Sequence, residues 1–358
     1  MAAITALSHL IPTFYESVFT HFSKAKREND TQAVDLKITN FWVRLEIVGT
    51  VLPSIILPAF THLPKGEQQQ PDLTIHVWDS RSTRMPLLSF PWPISEVRAQ
   101  GMIRGYNNAA FDTGYCFDTH GLKLLDRKNN RGFFWMPDAH QIPYYIQGAP
   151  LKNVLHWWLR HKNIVLTHAG AVGNQKGSVL LVGKGGAGKS TSAIACLGSN
   201  LQYLGDDYCW TTPREGGAVY SAFCSAKVEQ ATLDKFPLVQ NIFSGIESIK
   251  AEKYLYFLQQ KYGEQIMRRA PLKGIFVPSI YAQRNSFLEV ISPAKAMKSL
   301  IPSSLFQIAG TGKQEFSLLA RLVQQVPCFQ LHLGTDLAQI PQIIEHFLNT
   351  SHESTTAR

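Results

Sequence analysis

The sequence predicts an α/β protein in two parts: a smaller, mainly β N-terminal domain, followed by a domain built on a phosphate-binding P-loop. Three observations carry this. Residues 36–143 hold short runs rich in β-branched and aromatic residues, broken by turn residues. From Ile164 onward, strand-like and helix-like patterns alternate. Within that second half, Gly183-Lys184-Gly185-Gly186-Ala187-Gly188-Lys189-Ser190 fits G-x-x-x-x-G-K-[ST] at every fixed position.

Taken in order, residues 1–30 open the chain. Leu7, Leu10, Ile11, Phe14, Val18, Phe19 and Phe22 recur at helical spacing there, which predicts an amphipathic helix that packs on the domain or a partner. The segment lacks the basic start, apolar run and small-residue cleavage site of a secretory signal. The apolar stretch 48–60 is interrupted by Pro53 and Pro58 and is too short to span a bilayer. A cytoplasmic protein with no membrane partner is expected.

Strands are predicted at 38–48, 73–78, 114–117, 122–125 and 132–135. The polar run 126–132 forms a hairpin turn between the last two, because Asn and Gly tolerate positive φ. Residues 65–72, with three successive glutamines, read as a solvated loop. The β-rich domain covers 31–150. A helix at 150–161 carrying Trp157 and Trp158 then begins the second domain, 151–350, and a polar, flexible tail is expected at 351–358.

In that second domain the pattern gives strands at 177–182, 201–210, 273–277, 287–291 and 327–333. Helices are expected at 189–197, 293–300, 313–325 and 337–348. The 358 residues, 45% of them hydrophobic, suffice for two cores. The +9 charge, from 35 Lys and Arg against 26 Asp and Glu, is scattered, which suits anionic ligands rather than nucleic acid. Five widely spaced cysteines (116, 196, 209, 224 and 328) show no metal-ligand spacing and read as buried small apolar residues.

The P-loop, or Walker A sequence, follows an apolar strand and opens a helix, as its chemistry requires. Glycines let the backbone fold around phosphates with its N–H groups inward, and the helix N-terminus favours the anion. Residues 183–190 and Thr191 are therefore the candidate ATP-binding set. Lys189 reaches the terminal phosphates and the Ser190 hydroxyl ligates Mg²⁺. One helix later, the 201–210 strand carries Asp206 and Asp207. Adjacent strand residues point to opposite sides, so one carboxylate can serve the metal and the other the acceptor hydroxyl as general base. Spacing does not decide which, although Asp207 is paired with Ser190 as the candidate metal ligand. His168, at the end of an apolar strand, reads by itself as a satisfied core residue before a catalytic one. Lys227, Lys253 and the pair Arg268-Arg269 are open between anion contact and surface roles.

The order His168-Ala169-Gly170-Ala171-Val172, a hairpin, an apolar strand, the P-loop with Thr191, a helix and Leu204-Gly205-Asp206-Asp207-Tyr208 resembles the HPr kinase/phosphorylase family. It is closer to the HPr-kinase-like serine kinases, including those that modify peptides, and 326–336 resembles their closing strand and turn. The resemblance implies a catalytic core akin to that of PEP carboxykinase. In it His168 lies near the γ-phosphate and metal, and Asp206 and Asp207 supply base and metal contacts. The expected activity is that of an ATP- and Mg²⁺-dependent phosphotransferase, with a serine hydroxyl of a peptide, protein or free amino acid as acceptor. Homo-oligomers are common among the relatives. The Glu-Ile-Arg-Gly-Leu-Gly signature of true HPr kinases has no counterpart here, so the resemblance does not carry HPr as substrate or the phosphorylase reaction over to this chain, and both stay open. Two alternatives stand beside this reading. One is a regulatory P-loop ATPase, or nucleotide-binding switch, without a small acceptor. The other is a decarboxylating carboxykinase, disfavoured by length and by missing arginine motifs.

Overall fold

The structure, a computed structural model, describes residues 2–353, and the side chains of residues 10–350. The chain divides into two units. One comprises Met1–Pro58, Leu63–His161 and Ile308–Gly310, the other Ala59–His62, Lys162–Gln307 and Thr311–Arg358. It is a mixed α/β protein with several sheets.

The first unit is a seven-stranded sheet in the order Lys65–Gly66, Thr31–Ile38, Phe41–Val48, Leu73–Asp79, Arg131–Met136, Gly121–Asp126, Phe111–Cys116. Leu73–Asp79 runs parallel to both of its neighbours and the other pairs are antiparallel. The single strand expected at 38–48 is a hairpin, Thr31–Ile38 with Phe41–Val48, turning at Thr39 with φ 55°. The turn before Arg131–Met136 places Asn130 at φ 48°, a conformation that Asn adopts readily. Helix Ala2–Glu28 lays Ile11, Phe14, Tyr15, Val18, Phe22 and Ala25 against Trp78, Leu122, Leu124, Phe133 and Trp135. Phe19 is only half-buried and Leu10 is exposed, so the buried stripe is narrower than the sequence pattern; the side chain of Leu7 is outside the described residues.

Helix Lys152–Leu159 belongs to this first unit rather than opening the second. The cause is its aromatic pair. Trp157 Nε1 donates to Ala309 O at 2.7 Å, Trp158 Nε1 donates to Asn130 Oδ1 at 2.9 Å, and the Trp157 ring lies against Gly114.

In the second unit, strand Gly177–Leu181 runs parallel to Arg269–Ile280, which runs parallel to Cys328–Leu333. Beyond Gly177–Leu181 come Gly170–Asn174 and Gln202–Gly205, both antiparallel pairings. The early part of Arg269–Ile280 instead continues to Ala218–Ser221, Cys209–Thr212 and Val165–Thr167. Alternation along the central strand supplies two cores. Leu180 and Val182 meet Leu300, Leu318 and Leu322 of helices Pro293–Leu305 and Lys313–Gln324. Val179 and Leu181 meet Ile194 of helix Lys189–Ala195 and Ile340 and Ile344 of helix Gln339–Glu353. That last helix runs into the expected tail, and residues 354–358 lie outside the described part.

The strand expected at 201–210 is two strands, Gln202–Gly205 and Cys209–Thr212, pairing with different partners. A Cβ on Gly205 would sit 2.9 Å from both Cys209 Sγ and Tyr208 O, so glycine permits the tight reversal between them. A separate three-stranded sheet is formed by Ser225–Val228, Tyr254–Phe257 and Ser248–Ile249. The five cysteines are buried and free of disulfides. No helix among the described residues is long and apolar enough to cross a membrane.

Candidate active site

The glycine-rich loop leaves strand Gly177–Leu181 and enters helix Lys189–Ala195. Three of its glycines have positive φ: Gly183 at 153°, Gly186 at 75° and Gly188 at 99°. At Gly188 the left-handed backbone coincides with crowding, since a Cβ there would run into Leu333 Cδ1. Lys189 is 6% exposed and its Nζ donates to Gly183 O at 2.8 Å and Lys184 O at 3.1 Å. Burial lowers the pKa of this ammonium, an effect opposed by Asp207 and Asp206. The lysine is thus held by neutral carbonyls of its own loop, partners that an anion can outcompete.

The acidic pair occupies the reversal after Gly205, and its two side chains diverge. Asp206 is 2% exposed and its Oδ2 accepts from Lys227 N at 3.2 Å. Asp207 Oδ1 lies 2.9 Å from His168 Nε2, and Asp207 Oδ2 accepts from Lys227 Nζ. Burial works against charge on Asp207, but Lys227 and His168 outweigh it and hold the carboxyl well below the usual range. An ionised carboxylate only accepts, so Nε2 carries the His168 proton in this contact. Burial likewise works against the Lys227 ammonium, which Asp207 nevertheless holds above its ordinary pKa. Asp206 moves the other way: burial, then the charge of Asp207, raises it.

All of these side chains but Asp206 meet at one cavity of about 500 Å³. Gly185, Gly186, Ala187, Gly188, Lys189, Ser190 and Thr191 form one wall, with His168, Asp207 and Lys227 beside them. Gly183 and Lys184 are not on its surface; their carbonyls anchor Lys189 instead. Asp206 is also absent from the lining, so of the two acids Asp207 faces the cavity and Asp206 supports the Lys227 backbone behind it.

Sequence patterning left Lys227 open because it arrives from the separate small sheet, 20 residues beyond Asp207. Lys253 also lines the cavity, paired to Glu229 at 2.7 Å, as do Lys235, Ile280, Tyr281 and Leu333, with no motif to announce them. Arg268 and Arg269 are not in the lining. Arg269 pairs with Glu215 at 3.2 Å and lies over the Tyr220 ring.

The donor set fits Mg²⁺ brought in with phosphates. Ser190 and Asp207 share the cavity, each Asp207 oxygen retains a second lone pair, and Mg²⁺ commonly takes one or two protein oxygens plus phosphates and water. Among the described residues no group of three or more His, Cys, Asp or Glu side chains forms a closed metal cage.

No protein-family model matches the chain. No curated protein matches it either. Among solved structures it is similar to the Hpr(Ser) kinase/phosphatase from Coxiella burnetii, at 12% identity, over 53% of this chain and 98% of that one, with a TM-score of 0.30.

Proposed function

We propose that the chain is an ATP- and Mg²⁺-dependent phosphotransferase that moves the γ-phosphoryl group to a hydroxyl, a serine of a peptide, protein or free amino acid. The observation that supports it is the convergence, in one cavity, of the glycine-rich loop with Lys189 and Ser190 and of Asp207 held between His168 and Lys227. A nucleotide switch needs the first group. A metal-holding acid serves a switch as well; a carboxylate beside the metal that can take a hydroxyl proton is what transfer to an acceptor adds.

Two cations rest on local partners. Lys189 exchanges the Gly183 and Lys184 carbonyls for the terminal phosphates, and Lys227 turns from Asp207 Oδ2 toward the same charge. That movement frees an Asp207 oxygen. Ser190 and Asp207 would hold Mg²⁺, which neutralises charge on the phosphates when bound. His168 keeps the Asp207 carboxylate in place through Nε2–H. The acceptor hydroxyl oxygen bonds to the γ-phosphorus as the bond to the β–γ bridging oxygen breaks and ADP leaves. Asp207 takes the hydroxyl proton. Its low basicity is adequate because the attacking oxygen becomes strongly acidic only as its bond to phosphorus forms. Asp206 is a positioning residue that holds the backbone of Lys227. The choice of serine as acceptor rests on the sequence resemblance.

The test is transfer of label from γ-³²P-ATP with Mg²⁺ into free serine and serine-containing peptides, comparing wild type with Lys189→Ala and Asp207→Asn. Loss of about 10²- to 10³-fold in both variants is expected for removing one charge-stabilising group. Labelled acceptor undiminished in either variant overturns the assignment. ATP hydrolysis with no labelled acceptor shifts it to a regulatory ATPase.

A further inference from the structure

A second cavity, of about 480 Å³, opens on the N-terminal sheet and is lined by polar groups with a register of their own. Cross-strand pairing aligns Arg44, Thr74 and Arg131 in one row over three adjacent strands, and Glu46, His76 and Phe133 in the next. Positions two apart share a face, so both rows lie on one side of the sheet. This is the side that Phe22 and Phe133 cover further along, with Phe22 4.3 Å from the His76 ring and Phe133 in the core. The first row is where that cover stops.

The charged side chains on this floor are ion-paired with one another, save Arg131 and the Asp126 opposite it on the next strand. Arg44 is bidentate to Asp35, at 2.8 and 2.9 Å. Glu46 takes Lys26 at 2.8 Å and lies 3.0 Å from His76 Nδ1. Arg131 makes no hydrogen bond or ion pair through its side chain to any described residue, and its guanidinium rests over the Phe19 ring at 4.4 Å. Stacking on an aromatic face holds the guanidinium plane while leaving its N–H donors directed outward. Around it stand the Thr74 hydroxyl and the amides of Gln69, Gln70 and Asn129, with Asp126 opposite, its carboxylate accepting from Asn129 N at 3.2 Å and Asn129 Nδ2 at 2.6 Å.

We propose that this cavity is a binding site for a carboxylate, clamped bidentately by Arg131 and flanked by neutral hydrogen-bonding groups. The guanidinium fork matches the two oxygens of a carboxylate, and the Glu46 and Asp126 carboxylates on the same face disfavour a phosphate dianion more than a monoanion. The volume exceeds that of a bare carboxylate, and the flanking amides can pair with peptide groups, so a Glu or Asp side chain in a polypeptide and a free small acid are the two sources of the same chemistry. The site is independent of the phosphotransfer reading.

Calorimetric titration of the full chain with acetate, inorganic phosphate and acetyl-Gly-Glu-Gly-amide tests it, with Arg131→Ala and Thr74→Val as variants. Arg131 is partly exposed and pairs with its neighbours through backbone, so its truncation leaves the strand intact. Binding of the peptide or of acetate that weakens about 10-fold or more in Arg131→Ala supports the site, as expected for losing a charged hydrogen-bonding partner. Tighter peptide than acetate binding identifies the polypeptide source; equal binding identifies the small acid. Phosphate binding tighter than both, carboxylate affinity unchanged in Arg131→Ala, or no detectable carboxylate binding overturns the proposal. Thr74→Val reports the neutral flank and is expected to weaken binding by a few-fold.

Discussion

In each unit a largely buried carboxylate lies between two basic groups, Asp112 in the first and Asp207 in the second, and the two settings differ. In the N-terminal unit Asp112 accepts from Arg160 at 2.8 Å and from Arg127; Arg127 also donates to Ala109 O and Arg160 to Gly310 O. In the second unit Asp207 accepts from Lys227 and His168, at the wall of a cavity. Guanidinium forks spread their donors over several fixed acceptors, so the Asp112 cluster is a brace. An ammonium on a flexible stem and a single imidazole N–H can each change partner without breaking a network. Which basic residue faces a buried acid therefore separates a structural charge from one available for chemistry.

Neutralising each acid should separate them furthest. Asp112→Asn leaves two poorly exposed guanidiniums without their counter-charge, and breaking such a pair costs about 3–5 kcal/mol. Urea unfolding should show that loss, while label transfer by the protein still folded in buffer is retained. Asp207→Asn should show the reverse: the transfer loss given above with a smaller stability change, because its carboxylate is 23% exposed and its cations can reach solvent. If Asp207→Asn unfolds as readily as Asp112→Asn, both clusters are braces and the contrast fails.

Gly188→Ala asks whether the loop needs its backbone. A φ of 99° is strained for any residue with a Cβ, costing about 1–2 kcal/mol, and the added methyl meets Leu333, a cavity-lining residue. ATP affinity should fall about tenfold or more by equilibrium dialysis, with stability lowered by about the 1–2 kcal/mol of the strain. Unchanged affinity would show that the loop geometry does not set binding.

How much of this was legible beforehand follows from the range of the interactions. The glycine-rich loop is written in eight consecutive residues, and its strand and helix flank it as expected, since local backbone requirements leave a local trace. The division of roles between Asp206 and Asp207 is not local. It depends on the reversal after Gly205 and on Lys227, which reaches the site on a strand paired with Tyr254–Phe257. A lysine that balances a carboxylate across 20 residues looks like any other lysine in the chain. The helix Lys152–Leu159 shows the same limit in reverse. Its pattern is plainly helical, but its unit is decided by what Trp157 and Trp158 bond to, not by where it falls in the order of elements.

The smallest effect distinguishes the two neighbouring acids themselves. Burial and the adjacent charge raise Asp206 above its ordinary 3.8. A raised carboxyl contributes stability that is fully present below the unfolded pKa and is lost as pH climbs from about 4 toward neutrality. Asp207 is depressed, so its contribution is present above that range and is lost only as pH falls below it. The opposing slopes therefore occupy separate windows. Asp206→Asn keeps an acceptor for Lys227 N but cannot ionise, so the variant should lose less stability than wild type between pH 5 and pH 7.5, by about 1 kcal/mol, the scale of one pKa unit. Urea midpoints at the two pH values measure it. Parallel losses in wild type and variant would mean that Asp206 is ionised throughout, and the cavity would then rest on two negative charges, each needing a cation, instead of one acid behind and one carboxylate in front.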